Sequence, residues 1–203
     1  MQPLHKPGRL SLLNEVRLSA SGLSFFPKAT VRSIGHPLFR SKAARDYGCL
    51  LDLDPTVVGW HCLPIELIGC EESHIPDFLV ERHDGRRFAS VGIQDLADDI
   101  RTAALSHADG IDIISIDNLN GCRLKNAIDL LRYGGWTTRL GDRIRLLAAL
   151  DEHGSLSVAD AMSAFQETRP IPGIASLVLA RFIEMDIDDA PIGPETSIRR
   201  YRD

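Results

Sequence analysis

The chain has 203 residues, a formal net charge of −5 and a sequence pI of about 5.8, and it is 44% hydrophobic and 25% charged. Such a length predicts one large or two small domains, and such a composition excludes collagen, coiled coils and long disordered chains. No stretch is long and apolar enough for a membrane span, and the first residues lack the apolar core of a signal peptide. We therefore expect a cytoplasmic protein with no membrane partner.

Positive charge is concentrated at the start of the chain. Residues 1–45 contain eight Lys or Arg and one Glu, a net charge of +7, whereas the rest of the chain sums to −12. Basic side chains that neutralise phosphates release condensed counterions, so a local basic segment favours DNA binding even when the whole chain is acidic. A solvated N-terminal extension is the alternative, and bulk charge alone argues against nucleic acid.

The cysteine pattern indicates reduced thiols rather than disulfides or zinc ligands. The four cysteines are Cys49, Cys62, Cys70 and Cys122. No pair has CxxC spacing, and no secretion signal is recognisable. His61 and His74 lie near two of the cysteines in sequence, but the spacing matches no zinc motif. The sequence therefore predicts no metal site of this kind.

The first 37 residues contain four prolines and are predicted to be irregular. A helix capped by Ser41 follows, with apolar residues on one face, and residues 52–55 end it. Strands are then predicted over 57–63, 65–68, 77–81, 87–93 and 111–116, and helices over about 95–106 and 123–132. Asp84-Gly85 is a hairpin signal between two of the strands. This order predicts an α/β fold with a mixed sheet flanked by helices.

Beyond the glycine- and threonine-rich residues 134–138 the pattern changes. Three short helices are predicted over about 142–152, 157–165 and 174–183, and segments 185–187 and 197–201 can pair as strands. Three helices with a β-ribbon are typical of a winged-helix domain, and a generic helical cap is the alternative. We therefore divide the chain into a basic N-terminal arm (1–37), an α/β domain (38–136) and a winged-helix-like domain (137–203).

Three motifs follow one another along the chain. The first helix and strand read SKAARDYGCLLDLDPTVVGWHCLP, the hairpin reads HIPDFLVERHDGRRFASVGIQ, and residues 126–133 read NAIDLLRY. In this order they resemble the SxLERDF…FDPxV, HTPDFLVExxDG…VEVKP and N-L-x-x-L-x-R-Y patterns of the TnsA family of transposon-end endonucleases, within the PD-(D/E)XK restriction-endonuclease-like group. The resemblance covers about residues 30–200 and implies a restriction-endonuclease-like domain followed by a winged helix.

The resemblance also implies chemistry at four positions. In the family, a helix glutamate and the Pro-Asp aspartate bind a divalent metal, and an acid or glutamine and a lysine follow on the next strand. Such oxygen ligands suit Mg²⁺, which activates water. Carried over one residue at a time, the aspartate is Asp77, but the glutamate falls on Ala44, the strand acid on Val91 and the lysine on Ile93. Val91 and Ile93 should share a strand face, so we expect apolar side chains to fill the former metal site.

With one carboxylate left, we expect a catalytically silent protein without a cofactor, a DNA-binding or scaffold component that acts with a transposase-like partner. One alternative is an active Mg²⁺-dependent endonuclease that cuts transposon ends with migrated ligands, for which Glu81 shares the strand face of Asp77. The other alternative is a DNA-binding or protein-binding regulator outside transposition.

The candidate DNA contacts are basic residues of the arm, the first helix and the C-terminal domain. They are Lys28, Arg32, Arg40, Lys42, Arg181, Arg199, Arg200 and Arg202. The presumed recognition helix over 174–183 has Ser176 and Arg181 as its main polar groups, which is little for reading bases. Arg199 and its basic neighbours on the presumed wing suit phosphate contacts, with an ordinary basic tail as the alternative. Double-stranded DNA is thus an expected partner, and protein–protein use of this domain stays open.

Overall fold

The computed structural model describes residues 11–202, which form seven α-helices and nine strands. The helices are α1 (Leu12–Ser21), α2 (Lys42–Leu53), α3 (Asp98–Leu105), α4 (Cys122–Leu131), α5 (Leu140–His153), α6 (Val158–Ala161) and α7 (Pro170–Leu179). The strands are β1 (Val57–Cys62), β2 (Leu67–Ile68), β3 (Ser73–His74), β4 (Phe78–Arg82), β5 (Gly85–Val91), β6 (Ile111–Ile114), β7 (Ser155–Ser157), β8 (Ile183–Met185) and β9 (Ser197–Arg200). Short 3₁₀ turns occupy Ile116–Asn118 and Met162–Ala164.

A mixed four-stranded sheet with the order β1-β4-β5-β6 forms the centre of the N-terminal part. The first three strands are antiparallel, and β6 pairs parallel to β5 after a crossover through α3. Alternating residues point to opposite faces of a strand. Ala89 therefore packs on the α2 side with Trp60 and Phe78, whereas Phe88 packs on the α3 side with Ile100. The predicted α/β fold with a mixed sheet flanked by helices is confirmed.

Helix α2 begins where its local sequence predicts. The Ser41 hydroxyl caps it by accepting the backbone N–H of Ala44 at 3.0 Å. The same helix carries a buried carboxylate, Asp52, whose Oδ1 accepts the indole N–H of Trp60 at 3.0 Å and the backbone N–H of Arg32 at 2.9 Å. Burial raises the pKa of Asp52. The carboxylate thus joins α2, β1 and the segment that precedes α2.

The prediction that residues 1–37 are irregular is wrong for residues 12–21, which form α1. Ser11 caps this helix, and the prolines of the segment lie outside it. Leu13, Val16 and Ala20 repeat at helical spacing and pack against Leu63 and Ile75. The helix is therefore stabilised by a tertiary contact rather than by its own propensity. Residues 1–10, including two of the basic residues of the predicted arm, lie outside the described residues.

The C-terminal part contains α5, β7, α6, α7, β8 and β9, and its three strands form an antiparallel sheet with the order β7-β9-β8. Its third helix begins at Pro170, four residues before the predicted start, and ends at Leu179. Proline is tolerated in the first turn of a helix because the N–H that it lacks would have no intrahelical acceptor there. Strand β8 accordingly begins at Ile183, two residues earlier than predicted, and β7 was not predicted.

An apolar cluster crosses the predicted boundary between residues 136 and 137. Leu124 and Leu131 of α4 and Cys49 of α2 pack with Ala175 and Leu179 of α7. Beside this cluster, the buried Asn126 side chain donates to the carbonyls of Ile187 and Ala190 and accepts the N–H of Ile192. The three-part division of the chain stays a prediction, but its last two parts share a buried apolar cluster.

All four cysteines are free. Burial raises the pKa of Cys49 to about 11 and that of Cys62 to about 12, so both are protonated and poorly nucleophilic at neutral pH. Among the helices of residues 11–202, none combines the length and the apolar character that crossing a lipid bilayer requires.

Candidate functional site

Asp77 lies immediately before β4, and its side chain is 3% exposed. Its Oδ1 accepts a hydrogen bond from Nε of Arg40 at 2.7 Å, and its Oδ2 accepts the backbone N–H of Val91 at 2.7 Å. Arg40 also donates from Nη2 to the carbonyl of Ile75 at 2.8 Å. Both carboxylate oxygens are therefore bound by the protein itself, and the guanidinium balances the charge.

Two of the three apolar residues at which the resemblance implies catalytic groups pack in the cluster that contains Phe78, the residue after Asp77. Ala44 of α2 and Val91 of β5 belong to one buried apolar cluster, together with Phe78 and Ala89. Val91 is also the residue whose N–H binds the Asp77 carboxylate. The structure thus brings Ala44, Asp77 and Val91 to the same end of the sheet, where two of the three side chains carry no oxygen.

Ile93 does not join this group, so the expectation that Val91 and Ile93 share a face is wrong. Strand β5 ends at Val91, and Gly92 adopts a φ of 78°, a left-handed conformation that turns the chain out of the strand. Ile93 packs instead on the α3 side of the sheet, against the cluster that contains Phe88 and Leu96. The glycine between the two residues was the available signal, because glycine inside a strand pattern often marks such a break.

The residues present do not fit a Mg²⁺ ion. Magnesium prefers six oxygen ligands in octahedral geometry, and this site offers one carboxylate that is already bound by Arg40 and Val91. Glu81 lies about 13 Å further along the strand direction, since each residue advances about 3.3 Å. Its carboxylate faces His61, with 3.5 Å between Oε1 and Nε2. Within residues 11–202, no group of three or more His, Cys, Asp or Glu side chains is arranged to hold a metal ion.

A second polar pair, which sequence reasoning missed, lies beside Asp77. Nε2 of His74 is 2.7 Å from the hydroxyl of the fully buried Ser90. Burial and the positive charge of Arg40 lower the pKa of His74, and the nearby Asp77 opposes them. These partners come from separate segments, and their sequence spacing carries no recognisable motif.

Three of the candidate DNA contacts are half-buried and bind the protein's own chain. Arg40 pairs with Asp77, as described above. Nη2 of Arg32 donates to the carbonyl of Leu179 at 3.0 Å, and the guanidinium of Arg181 donates to two carbonyls at the end of α2 and the start of β1. Arg181 was predicted on the recognition helix, but it follows the end of α7 with a φ of 57°. The contacts of Arg32 and Arg181 join the N- and C-terminal parts, whereas the Arg40 pair lies within the N-terminal part.

The other five candidate DNA contacts are exposed. Lys42 pairs with Asp46 one turn along α2. Arg199 and Arg200 of β9 form ion pairs with Glu184 at 2.7 Å and Asp151 at 2.6 Å. Lys28 and Arg202 have no side-chain partner among residues 11–202. The assignment of all eight residues to DNA stays a prediction.

Helix α7, the predicted recognition helix, is largely buried. Seven of its ten residues are buried: Pro172, Gly173, Ile174, Ala175, Ser176, Leu177 and Leu179. The buried Ser176 hydroxyl is satisfied locally, since it contacts the carbonyl of Gly173 and the hydroxyl of Thr138. A helix that reads DNA must present polar side chains to the groove. Helix α7 cannot do so while it packs against α4.

A scan of the chain against models of known protein families gives no match, and a search of the curated proteins gives none either.

Proposed function

We propose that the chain is a catalytically degenerate relative of the TnsA-type endonucleases that acts as a scaffold component bound to a transposase-like protein. The observation that carries this proposal is the state of Asp77, whose two oxygens are bound by Arg40 and by the N–H of Val91. A cation at this carboxylate would have to displace a charge-assisted ion pair and would then lie beside a guanidinium.

The arrangement of the C-terminal part supports its assignment as a winged-helix-like domain that binds protein rather than reading DNA. Its order α5-β7-α6-α7-β8-β9 and its three-stranded sheet are typical of that domain. Its third helix is buried against α4, so the surface that such domains use in the major groove is already covered within the chain.

Exposed apolar side chains on α5 support a protein partner. Leu140 and Ile144 lie one turn apart and are 59% and 57% exposed. Between them, Arg143 stacks over the ring of Phe182, with 4.5 Å from its guanidinium carbon to the ring centroid. Apolar and aromatic side chains flanked by arginine are typical of the centre of protein interfaces. We define this α5 surface as Leu140, Arg143, Ile144 and Phe182.

The scaffold proposal predicts a complex that depends on the α5 surface. The full chain would be co-expressed with an integrase-type transposase, the kind of partner that the proposal implies, and analysed by gel filtration. We expect the two proteins to elute as one complex. Leu140→Ser together with Ile144→Ser should weaken it at least about tenfold, because the interface loses two apolar side chains that binding buries. Ala148→Ser, an exposed change on the same helix, is the matched control. Separate elution of the two proteins, with and without DNA, would contradict the proposal.

The absence of catalysis is tested by nicking of a supercoiled plasmid in Mg²⁺ and in Mn²⁺. We expect no metal-dependent nicking by the full chain above the level of its Asp77→Asn variant, because that carboxylate has no free oxygen. Glu81→Gln is measured beside it, since Glu81 is the candidate migrated ligand. Nicking that disappears in Asp77→Asn or Glu81→Gln but persists in Asp46→Asn would establish the endonuclease alternative instead.

DNA binding through phosphates is the second candidate function, and the exposed basic residues favour it. The pairs of Arg199 and Arg200 are exposed, and exposed ion pairs contribute little to stability, so phosphates can replace their carboxylates. We expect at most non-specific binding, weaker than about 1 μM at physiological salt, in a mobility-shift titration with a duplex. Lys28→Gln with Arg202→Gln should weaken it further, relative to Lys125→Gln as control. Nanomolar, salt-resistant binding would favour a DNA-reading function.

A further inference from the structure

A cleft between the N- and C-terminal parts is lined by two arginines that have no part in the proposed function. It has a volume of about 230 Å³, and Arg32 and Arg181 line it together with Leu53, Val178 and Tyr201. Arg32 comes from the segment before α2, and Arg181 follows α7. The fold therefore brings two guanidinium groups from distant parts of the sequence to one small cavity.

Arg32 is held in place but not fully bonded. Its backbone N–H binds Asp52, and Nη2 donates to the carbonyl of Leu179 at 3.0 Å. Its Nε is buried and has no hydrogen-bond partner among residues 11–202. Burial and the charge of Arg181 lower its pKa, and Asp52 and Tyr201 offset this only in part. A buried donor without an acceptor is costly, so an acceptor that enters the cleft would relieve that cost.

Arg181 also lines the cleft and is held in place by the chain. One of its nitrogens, Nη2, donates to the carbonyls of Asp54 and Val57, both at 2.7 Å. Its backbone is in the left-handed region, with a φ of 57°, which residues with a β-carbon seldom adopt. Within residues 11–202, neither guanidinium forms an ion pair with a carboxylate. Two like charges thus face one cavity without a direct counter-ion.

The lining of the cleft also contains acidic residues, two of which form ion pairs with other arginines. Glu184 pairs with Arg199 at 2.7 Å, and Asp188 pairs with Arg123 at 2.6 Å. Asp186 is the remaining acidic group of the lining besides the buried Asp52, and it is exposed at the rim. Outside these ion pairs the lining holds Arg32 and Arg181 together with Asp52 and Asp186. The Asp52 carboxylate already accepts the Trp60 indole N–H and the backbone N–H of Arg32, so the two guanidiniums are the groups of the cleft that can bind an anion.

We propose that this cleft binds a phosphate group, with Arg32 and Arg181 as its ligands. A guanidinium presents planar donors that match the oxygens of a phosphate, and two converging guanidiniums neutralise a dianion. The cleft is smaller than most pockets for drug-sized molecules, which favours a small anion or the end of a larger one. Free phosphate and the terminal phosphate of an oligonucleotide share this chemistry. The site does not depend on the scaffold function.

The test uses the full chain and inorganic phosphate, with chloride at matched ionic strength as the reference. Titration calorimetry should detect phosphate binding, and phosphate should raise the midpoint of thermal unfolding because it binds the native state. Arg181→Gln and Arg32→Gln should weaken binding about tenfold or more, since each removes charge-assisted hydrogen bonds. Arg86→Gln, an exposed change on the β4-β5 hairpin, should leave it unchanged.

A second variant keeps the proposal testable if the arginine variants fail to fold. Asp186→Asn removes the carboxylate at the rim without touching the two arginines, and it should tighten phosphate binding severalfold. If a 5′-phosphorylated oligonucleotide competes with phosphate and its unphosphorylated copy does not, the ligand is the terminal phosphate of a nucleic acid. If neither oligonucleotide competes, the ligand is free phosphate. No phosphate-specific binding by the unmodified chain, or binding that neither Arg181→Gln nor Asp186→Asn alters, would overturn the proposal.

Discussion

Replacing Asp142 by alanine is expected to destabilise the C-terminal part by about 3–5 kcal/mol, the usual cost of breaking a buried charged network. Asp142 lies in the first turn of α5 and is fully buried. Its carboxylate accepts the backbone N–H groups of Gln166, Glu167 and Thr168, the closest at 2.6 Å, and it also pairs with Arg145. Removing it leaves three N–H donors unsatisfied just before α7 begins.

The same carboxylate predicts an acid dependence of stability. Burial disfavours its charge, but the hydrogen bonds from Gln166, Thr168 and Arg145 prevail and hold the pKa of Asp142 well below its usual range. A group whose pKa is depressed on folding stabilises the protein fully above its unfolded pKa of about 3.9 and loses that contribution as the pH falls below it. Asp142→Asn should therefore be much less stable than the unmodified chain at pH 7 and differ less at pH 3.

Urea denaturation followed by circular dichroism measures both effects. Asp151→Asn is the matched control, because Asp151 lies on the same helix but forms an exposed pair with Arg200. That change should cost less than about 1 kcal/mol. Equal stability of Asp142→Asn and the unmodified chain at pH 7 would contradict the role assigned to the carboxylate.

Replacing Arg40 by methionine is expected to cost about 3 kcal/mol, because it leaves the Asp77 carboxylate buried without its counter-ion. Asp77 is 3% exposed, whereas the Arg40 side chain is 31% exposed, so water can solvate Arg40 more readily than Asp77. Asp77→Asn should cost less, since its amide oxygen can still accept the N–H of Val91. The double variant should be more stable than Arg40→Met alone, because it carries no unpaired buried charge.

A double-mutant cycle in urea isolates this coupling. Lys42→Met serves as the control, since Lys42 forms an exposed pair with Asp46 on α2. The control should change the free energy of unfolding by less than about 0.5 kcal/mol. Additive effects of Arg40→Met and Asp77→Asn would show that the two side chains are not energetically coupled, and would contradict the role assigned to this ion pair.

Much of the N-terminal fold could be predicted because its signals are local. The Ser41 cap, the proline-containing end of α2 and the turn before Gly85 each lie within a few residues of the element that they define. The position of Asp77 before a strand was predictable for the same reason. The partner of Asp77 was not predictable, because Arg40 lies 37 residues earlier in the chain. The sequence of a basic segment does not show whether an arginine binds a phosphate or a carboxylate.

In the C-terminal part, too, local signals were predictable and long-range contacts were not. The second helix of this part was predicted to begin near residue 157, and Ser157 does cap α6. The start of the third helix was misplaced, because Pro170 can end a loop or begin a helix. The apolar sequence of the predicted third helix indicated weak base reading, which stays a prediction. Only the packing of Ala175 and Leu179 against α4 showed that this helix is covered.

The sequence determined the charge pattern along the chain and the apolar residues at Ala44, Val91 and Ile93. Composition and motif depend on residue identity alone. Which charges are free to meet a partner was decided by the tertiary structure, which binds Arg40 to a carboxylate and brings Arg32 to Arg181 in one cleft. The physical reason is that burial and pairing depend on contacts between distant segments, and those contacts set the energy of every charge.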